Sequence, residues 1–306
     1  MSCVTYESVF RPPRNLSVSD FYVISIQLKH GFGNQLFQYA AARRLSLTLG
    51  VPLTLDLSFY RTHRLRSYAL NRRCIEARVA TTWEMVCWRG PPVLIPITHP
   101  LGLVPRLVRE RAFTFDPSIL TLPDGRCLDG HWQSYRYFED IAPSIRREFA
   151  VHDALTDRDR QLLARMARGD SICLHVRRGD LVSNAVVRKF HGCCSEDYYR
   201  RAIERLAAQL LSPELFVFSD DMPWVRQHLA FNMPTTQVDH YAADSAPEEL
   251  RLMAGCRHFV IANSTLRWWA AWLASDRGGV VYAPRQWFAN PAMSAADLIP
   301  PSWHRL

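Results

Sequence analysis

The amino-acid sequence predicts an α/β fold made of two doubly wound units. Three observations support this prediction. A strand, a glycine-bearing turn, a helix and a second strand follow one another from residue 22 to residue 57. Short apolar runs alternate with amphipathic helices again between residues 156 and 283. The 306 residues also suit two domains of about 150 residues each, so we place the division near residue 150.

The first unit opens with a regular strand pattern. Apolar and polar residues alternate from Tyr22 to Leu28, and the turn His30–Gln35 follows. The next helix ends at Gly50, and residues 53–57 alternate as a second strand. The apolar stripe of this helix consists of Phe37, Ala41, Leu45 and Leu49.

The second half repeats the alternation of strands and helices. Thr156 and Ser195 have the character of helix N-caps, and Asp157 and Asp159 suit a first helical turn. Apolar runs at 171–176, 215–218, 257–262 and 279–283 predict strands that are covered on both faces. The helix that follows Ser195 buries Tyr199, Ala202, Ile203, Leu206 and Leu210.

The stretch from Trp83 to Phe113 contains five prolines and shows no helical or strand period, so we predict an excursion from the core. One interpretation is a loop packed against the first unit. The alternative is a surface that rests on an anionic membrane leaflet. The residues suited to such contact are Trp83, Trp88, Arg89, Leu101, Leu103, Arg106, Leu107 and Arg109.

Composition and charge exclude several classes of protein. The 48% hydrophobic and 22% charged residues argue against disorder, and no run approaches the roughly 20 apolar residues of a membrane span. The net charge of +8 suits a polyanionic partner, but the arginines are dispersed, which argues against nucleic acid. The eight cysteines show no zinc-type spacing and indicate reduced thiols. Residues 1–21 predict a loosely ordered leader and not a secretory signal. We therefore expect a cytoplasmic protein. The alternative is a protein that makes peripheral contact with the inner face of the membrane.

Polar residues follow the predicted strands of the second half, where parallel sheets bind their ligands. Arg177 and Arg178 offer forked donors for phosphate oxygens, and residues 263–265 precede a helix whose N-terminus would attract an anion. Asp220 or Asp221 could accept hydrogen bonds from a base edge or a ribose. Together these groups favour a nucleotide diphosphate. The alternative is that both arginines are surface residues paired with Asp170 and Asp180.

Three further motifs are weak by themselves. The turn Gly31–Gln35 lacks the third glycine of a dinucleotide fingerprint and the lysine of a P-loop. The Asp-x-Asp sequence Asp157–Asp159 falls at a predicted helix start, so we interpret it as dipole complementation and predict no metal. Trp268, Trp269 and Trp272 form a stripe that is typical of a core.

Five segments, in order, resemble the α-1,2-fucosyltransferases of glycosyltransferase family 11. His30–Tyr39 matches the family pattern Gly-Gly-x-Gly-Asn-Gln-x-x-x-Tyr, and His175–Asp180 matches His-x-Arg-Arg-x-Asp. Gly130–Ser134, Ser219–Asp221 and Asn263–Trp269 are similar to further family segments. The likeness covers residues 22 to 290.

The resemblance implies a GT-B fold, with two Rossmann-like domains facing a cleft. It also implies an inverting, metal-independent transfer of fucose from GDP-fucose to the 2-hydroxyl of a galactose-containing glycan, either free or lipid-linked, with no other cofactor. The acceptor would bind mainly to residues 22–150 and the donor to residues 151–306. Linkage is open, since α-1,6- and protein O-fucosyltransferases share the arginine motif.

By the same resemblance, Arg177 and His175 would contact the β-phosphate with help from Ser264 or Thr265. Asp220 or Asp221 would recognise the guanine, and Asn34 would lie near the fucose. The other expected donor-binding residues are Gly31, Gly33, Gln35, Arg178 and Asn263.

The chain departs from the family pattern at two positions. His30 replaces the first glycine, and Ser264–Arg267 replaces the expected Ser-Phe-Ser. The general base stays open among Asp180, His30 and Glu139.

Overall fold

The computed structural model describes residues 22–63, 66–89, 106–151, 154–241 and 245–306, apart from the side chains of Cys87, Arg89 and Asp180. The predicted leader lies outside the described residues, as do residues 90–105 of the proline-rich stretch. The chain divides between Phe149 and Ala150 into two compact units.

The N-terminal unit is a parallel α/β unit. Its main elements are β1 (Ile24–Gln27), α1 (Phe32–Leu49), β2 (Leu53–Asp56), α2 (Ser58–Thr62), β3 (Arg78–Val79), α3 (Thr82–Arg89), β4 (Leu107–Arg109), β5 (Arg126–Asp129) and α4 (Ala142–Glu148). Short 3-10 turns occur at Leu70–Arg72, Pro117–Thr121, Tyr135–Tyr137 and Glu139–Ile141.

The strands of this unit form a sheet in the order β3-β2-β1-β5-β4, and every pairing is parallel. The chain runs outward from β1 through β2 to β3 and later returns on the other side. The strand order therefore reverses between β1 and β5, which is where ligands bind in open parallel sheets. All four residues of β1 are buried, including Ser25 and Gln27, because both faces of the sheet are covered.

The first helix differs from the prediction in where it begins and in Leu49, which belongs to the predicted apolar stripe but is exposed. It starts at Phe32, so Gly33, Asn34 and Gln35 belong to its first turn and not to a loop. It ends as predicted at Gly50, whose φ of 65° is left-handed and suits a residue without a Cβ.

The prediction of an irregular excursion is wrong for the described parts of the Trp83–Phe113 stretch. Residues 82–89 form α3, and residues 107–109 add β4 to the edge of the sheet. Trp88 and Leu107 pack in a core cluster with Val23 and Cys127, so neither can rest on a membrane. The prolines obscured two elements that are too short to show a clear period. Leu101 and Leu103 lie outside the described residues.

The C-terminal unit is also a parallel α/β unit. Its main elements are α5 (Asp157–Met166), β6 (Asp170–Val176), α6 (Gly179–Ser183), α7 (Ala185–His191), α8 (Glu196–Ala207), β7 (Pro213–Ser219), α9 (Met222–His228), β8 (Thr235–Val238), α10 (Ala246–Met253), β9 (His258–Val260), α11 (Thr265–Leu273), β10 (Val281–Ala283) and β11 (His304–Arg305). The parallel sheet has the order β11-β10-β9-β6-β7-β8. Its strand order reverses between β6 and β9.

Local sequence signals in this unit agree with the structure. Thr156 and Ser195 cap α5 and α8 by accepting hydrogen bonds from the N–H groups of Asp159 and Tyr198. The Asp-x-Asp acids lie in the first turn of α5, and the three tryptophans of α11 are buried. Leu210 lies beyond the end of α8, which stops at Ala207.

Two observations concern the whole described chain. The six cysteines whose side chains the structure describes form no disulfide with one another. Within the described ranges, no helix is both long enough and apolar enough to cross a membrane.

Candidate functional site

Arg177 lies where the strand order of the C-terminal sheet reverses. It follows β6, and its Nη1 donates a hydrogen bond of 3.4 Å to the carbonyl oxygen of Asn263, which follows β9. This contact brings the guanidinium beside the start of α11, a helix of nine residues. A cationic fork and the N–H groups of a helix N-terminus therefore occur together, which is the arrangement expected of a phosphate site.

Ser264 is the N-cap residue of α11, but its side chain makes no capping hydrogen bond. Thr265 is the first residue of the helix and is partly exposed. Ser264 is buried, and both residues directly follow Asn263, whose carbonyl oxygen Arg177 contacts. The helix start could therefore supplement the arginine in binding a doubly charged diphosphate.

Arg178 has different partners from its neighbour. Its Nε lies 3.4 Å from Oδ2 of Asp221, and its guanidinium carbon lies 3.9 Å from the ring centre of Trp224. Its backbone N–H donates to Oδ1 of Asp220 at 2.8 Å. Asp221 in turn caps α9 by accepting from the N–H of Trp224 at 3.2 Å. The two carboxylates predicted to bind a base therefore also hold the loop that follows β6.

His175, which is predicted to contact the β-phosphate, is fully buried. The imidazole has no exposed surface because it sits on the buried strand β6 between covered faces. Burial lowers its pKa well below the usual value, and the charges of Arg267 and Arg177 act in the same direction. The ring is therefore neutral at physiological pH. It lies on the strand that precedes the loop of Arg177 and Arg178 (the arginine loop) and not on the surface of that loop.

Asn263, a predicted donor-binding residue, also uses its side chain within the protein. Its side chain is buried, and Nδ2 donates to the carbonyl oxygens of His191 at 2.7 Å and Trp287 at 3.2 Å. The amide is used to tie distant segments to the end of β9. The side chain therefore supports the site, and its contact with the donor stays a prediction.

The glycine turn of the N-terminal unit contains both supporting and accessible residues. Gln35 has no exposed surface, and its amide donates to the carbonyl oxygen of Ser67 at 2.8 Å and accepts from the N–H of Ala69 at 3.0 Å. Its amide is thus used within the protein, and its contact with the donor stays a prediction. Gly33 is buried within α1. Gly31, the N-cap of α1, has open space where a Cβ would be.

Asn34 is partly exposed and is positioned by Gln133, to which the sequence analysis assigned no individual role. Its Oδ1 accepts a hydrogen bond of 2.7 Å from Nε2 of Gln133, in the loop after β5. Glu110 holds the same loop by accepting from the N–H groups of His131 at 2.7 Å and Trp132 at 2.9 Å. Gln133 belongs to a segment that resembles the family, whereas nothing in the sequence marks Glu110.

His30 stands in an unusual backbone conformation at the end of β1. Its φ of 63° lies in the left-handed region, and its carbonyl oxygen accepts from the hydroxyl of Tyr60 at 3.0 Å. The ring stacks on His131 with centroids 5.0 Å apart and an interplanar angle of 10°, and it contacts Phe59 at 5.0 Å. Burial, then the charges of His131 and Lys29, lower the pKa of His30 to about 4.

The other predicted candidates for a general base remain predictions. Glu139 is exposed on a short 3-10 turn. The backbone of Asp180 lies in α6, but its side chain is outside what the structure describes. Among the described residues, no group of three or more His, Cys, Asp or Glu side chains is placed to hold a metal ion.

The family follows from residues 124–306, which match Glycosyl transferase family 11. The chain belongs to glycosyltransferase family 11. The match spans the loop after β5, the arginine loop and the start of α11, so it includes most of the site described above. The resemblance predicted from the five segments is confirmed.

Two relatives of this family member are informative. An alpha-1,2-colitosyltransferase of Escherichia coli is 28% identical over 293 residues, which cover 93% of this chain and 99% of that protein. The human galactoside alpha-(1,2)-fucosyltransferase 1 is 29% identical over 168 residues, covering 51% of this chain and 44% of that protein.

Solved structures agree on the fold. The fucosyltransferase NodZ from Bradyrhizobium matches with a TM-score of 0.50 and 17% identity, over 81% of this chain and 92% of that chain. NodZ alpha-1,6-fucosyltransferase co-crystallised with GDP matches with a TM-score of 0.51 and 17% identity, over 81% and 91% of the two chains. The GT-B fold class is confirmed, and the chain is a glycosyltransferase.

Proposed function

We propose that this glycosyltransferase transfers fucose from GDP-fucose to the 2-hydroxyl of a galactose-containing glycan, with inversion and without a metal. The α-1,2 linkage in the names of the two relatives supports the linkage. Neither relative exceeds 29% identity, so donor and acceptor are our inference.

One observation carries the proposal. Arg177 lies beside the N-terminus of α11, at the point where the strand order of the C-terminal sheet reverses. When the bond between fucose and GDP breaks, negative charge grows on the β-phosphate. A fixed guanidinium and oriented N–H groups stabilise that charge more in the transition state than in the bound donor. This stabilisation does not require a metal ion.

Inversion requires the acceptor hydroxyl to attack the anomeric carbon from the face opposite GDP. A departing diphosphate that is well stabilised leaves an electron-poor sugar, so a weak base is sufficient to accept the proton of the hydroxyl. The neutral imidazole of His30 and the carboxylates of Asp180 and Glu139 are the groups we would test. Asn34, fixed by Gln133, is placed to orient a hydroxyl and not to accept its proton.

A second donor is supported by one comparison. The relative that aligns with 93% of this chain is named for colitose, which is 3-deoxyfucose. A site for colitose and a site for fucose differ only at the sugar ring. The arginine site on the diphosphate would be the same for either donor.

We expect Arg177→Ala to lower kcat/KM by about 10² to 10³, because one donor to the developing charge is lost. Arg177→Lys should keep only part of the activity, since an ammonium cannot form a forked pair. Arg168→Ala, which removes an exposed arginine of the same unit, is the control. Initial rates would be measured with GDP-fucose, GDP-colitose and UDP-sugars, with and without EDTA.

Three outcomes would contradict the proposal. They are full activity in Arg177→Ala, a preference for a UDP-sugar, and loss of transfer in EDTA that divalent metal restores. Linkage analysis of the product distinguishes α-1,2 from the α-1,6 alternative. Unfolding of the variants in urea shows whether any loss of activity reflects loss of the fold.

A further inference from the structure

The N-terminal unit contains a pocket of about 350 Å³ at the carboxyl ends of its central strands. Lys29 follows β1, Arg109 ends β4, and Gly130 and His131 follow β5. The volume falls within the range of about 300 to 1,000 Å³ that is typical of small-molecule sites. The pocket also coincides with the reversal of strand order between β1 and β5.

Cations outnumber carboxylates in the lining of this pocket. Lys29, Arg109 and Arg111 face two acids, Asp129 and Glu110. Both oxygens of the buried Asp129 are occupied, Oδ1 by Lys29 and Oδ2 by Arg109 at 3.3 Å. The two carboxylate oxygens of Glu110 accept from the backbone of the loop after β5. The carboxylates are thus committed to protein donors, and the lining retains a net positive charge.

An aromatic surface borders the same cations. Phe113 and His131 line the pocket, and their rings stack with centroids 5.1 Å apart and an interplanar angle of 26°. His131 stacks in turn on His30, which lies outside the lining. Aromatic rings of this kind pack against the apolar C–H face of a sugar, whereas a site for a free anion has no need of them.

We propose that this pocket binds an acidic sugar unit of the acceptor, one whose ring packs on Phe113 and whose carboxylate or phosphate pairs with Arg109 and Arg111. The choice of a galactose-type ring rests on the proposed function. The inference that the ligand carries an anionic group rests on the charge of the pocket lining. That charge is independent of the donor site.

The test uses three ligands that share one ring. They are methyl β-galactopyranoside, its 6-phosphate and the corresponding methyl galacturonoside. Binding to the intact protein is measured by calorimetry at low salt, without any nucleotide sugar. We expect the 6-phosphate or the galacturonoside to bind at least about tenfold more tightly than the neutral galactoside. The ligand that does so identifies the anionic group as a phosphate or a carboxylate.

The variants then locate the binding. Arg109→Gln combined with Arg111→Gln should remove the preference for the anionic ligand. Both side chains are exposed, and Lys29 still pairs with the buried Asp129 when Arg109 is replaced, so the fold should be retained. Arg147→Gln, which changes an exposed arginine of the same unit outside the lining, should leave the preference intact.

Equal affinities for the neutral and anionic galactosides would overturn the proposal. So would inorganic phosphate binding as tightly as the galactoside 6-phosphate, because the aromatic surface would then contribute nothing. Displacement of the bound ligand by GDP would assign the pocket to the donor and also overturn it. Because no donor is present in the direct binding measurement, a failure of GDP-fucose to serve as substrate would leave this result unchanged.

Discussion

Arg177 and Arg178 are neighbours in the sequence but have different partners, because the strand that precedes them lies between two other strands. β6 lies between β7 and β9. Arg178 reaches Asp221 after β7, whereas Arg177 reaches the carbonyl oxygen of Asn263 after β9. The sequence motif predicts a pair of phosphate ligands. The structure makes Arg177 the better candidate and gives Arg178 a role in holding the loop.

His30 permits a direct measurement of backbone strain. Its φ of 63° is costly for a residue with a Cβ, by roughly 1 to 2 kcal/mol, and costs glycine little. We therefore expect His30→Gly to be more stable than His30→Ala by about 1 kcal/mol, since both variants lose the same ring contacts. Free energies of unfolding in urea would give this difference.

The control is His63, whose ring also stacks on Phe59 but whose φ is −105°. There the order should reverse, with alanine the more stable replacement. The pH dependence supplies a second check. The pKa of His30 is about 4 in the folded protein, below its ordinary value, so only the unfolded chain takes up this proton between pH 6.5 and 4. The wild type should therefore lose more stability than His30→Gly as the pH falls through this range. Equal losses would contradict a half-buried imidazole that stays neutral in the folded protein.

At the scale of single elements, the start of a helix was easier to predict than the function of that start. Ser195 and Ser264 are both N-cap residues, and both are followed by an apolar stripe. The hydroxyl of Ser195 accepts from the N–H of Tyr198 at 3.2 Å, whereas that of Ser264 makes no capping bond. A sequence pattern cannot distinguish these cases, because the difference depends on the backbone that precedes each helix.

This difference leads to opposite expectations for two matched variants. Ser195→Ala should lower the free energy of unfolding by about 1 kcal/mol and leave GDP affinity unchanged. Ser264→Ala should cost less than about 0.5 kcal/mol of stability but weaken GDP binding by about threefold to tenfold, the effect of one lost hydrogen bond. Urea unfolding and calorimetry measure the two quantities. If Ser264→Ala were the more destabilising variant and bound GDP normally, its hydroxyl would be structural.

At the scale of the whole molecule, the sequence predicted the order of the strands along the chain better than it predicted the partners of individual side chains. Alternation, caps and apolar runs are local signals, and they correctly indicated two parallel α/β units. The partners of Gln35 and Asn263 are not local. Ser67 lies 32 residues from Gln35, and His191 lies 72 residues from Asn263. The same limit applies to the burial of His175, since it depends on neighbouring strands that pair with β6 from distant parts of the chain.

The two reversals of strand order allow the donor and acceptor proposals to be tested in one experiment. GDP should slow amide hydrogen exchange in residues 177–180 and 262–266, which follow β6 and β9, because ligand binding suppresses local opening. An anionic galactoside should instead protect residues 109–113 and 129–134. In Arg177→Ala the first effect should disappear and the second should persist. If GDP protected residues 129–134 while residues 177–180 exchanged as before, the diphosphate would bind to the N-terminal unit and the proposed role of Arg177 would be wrong.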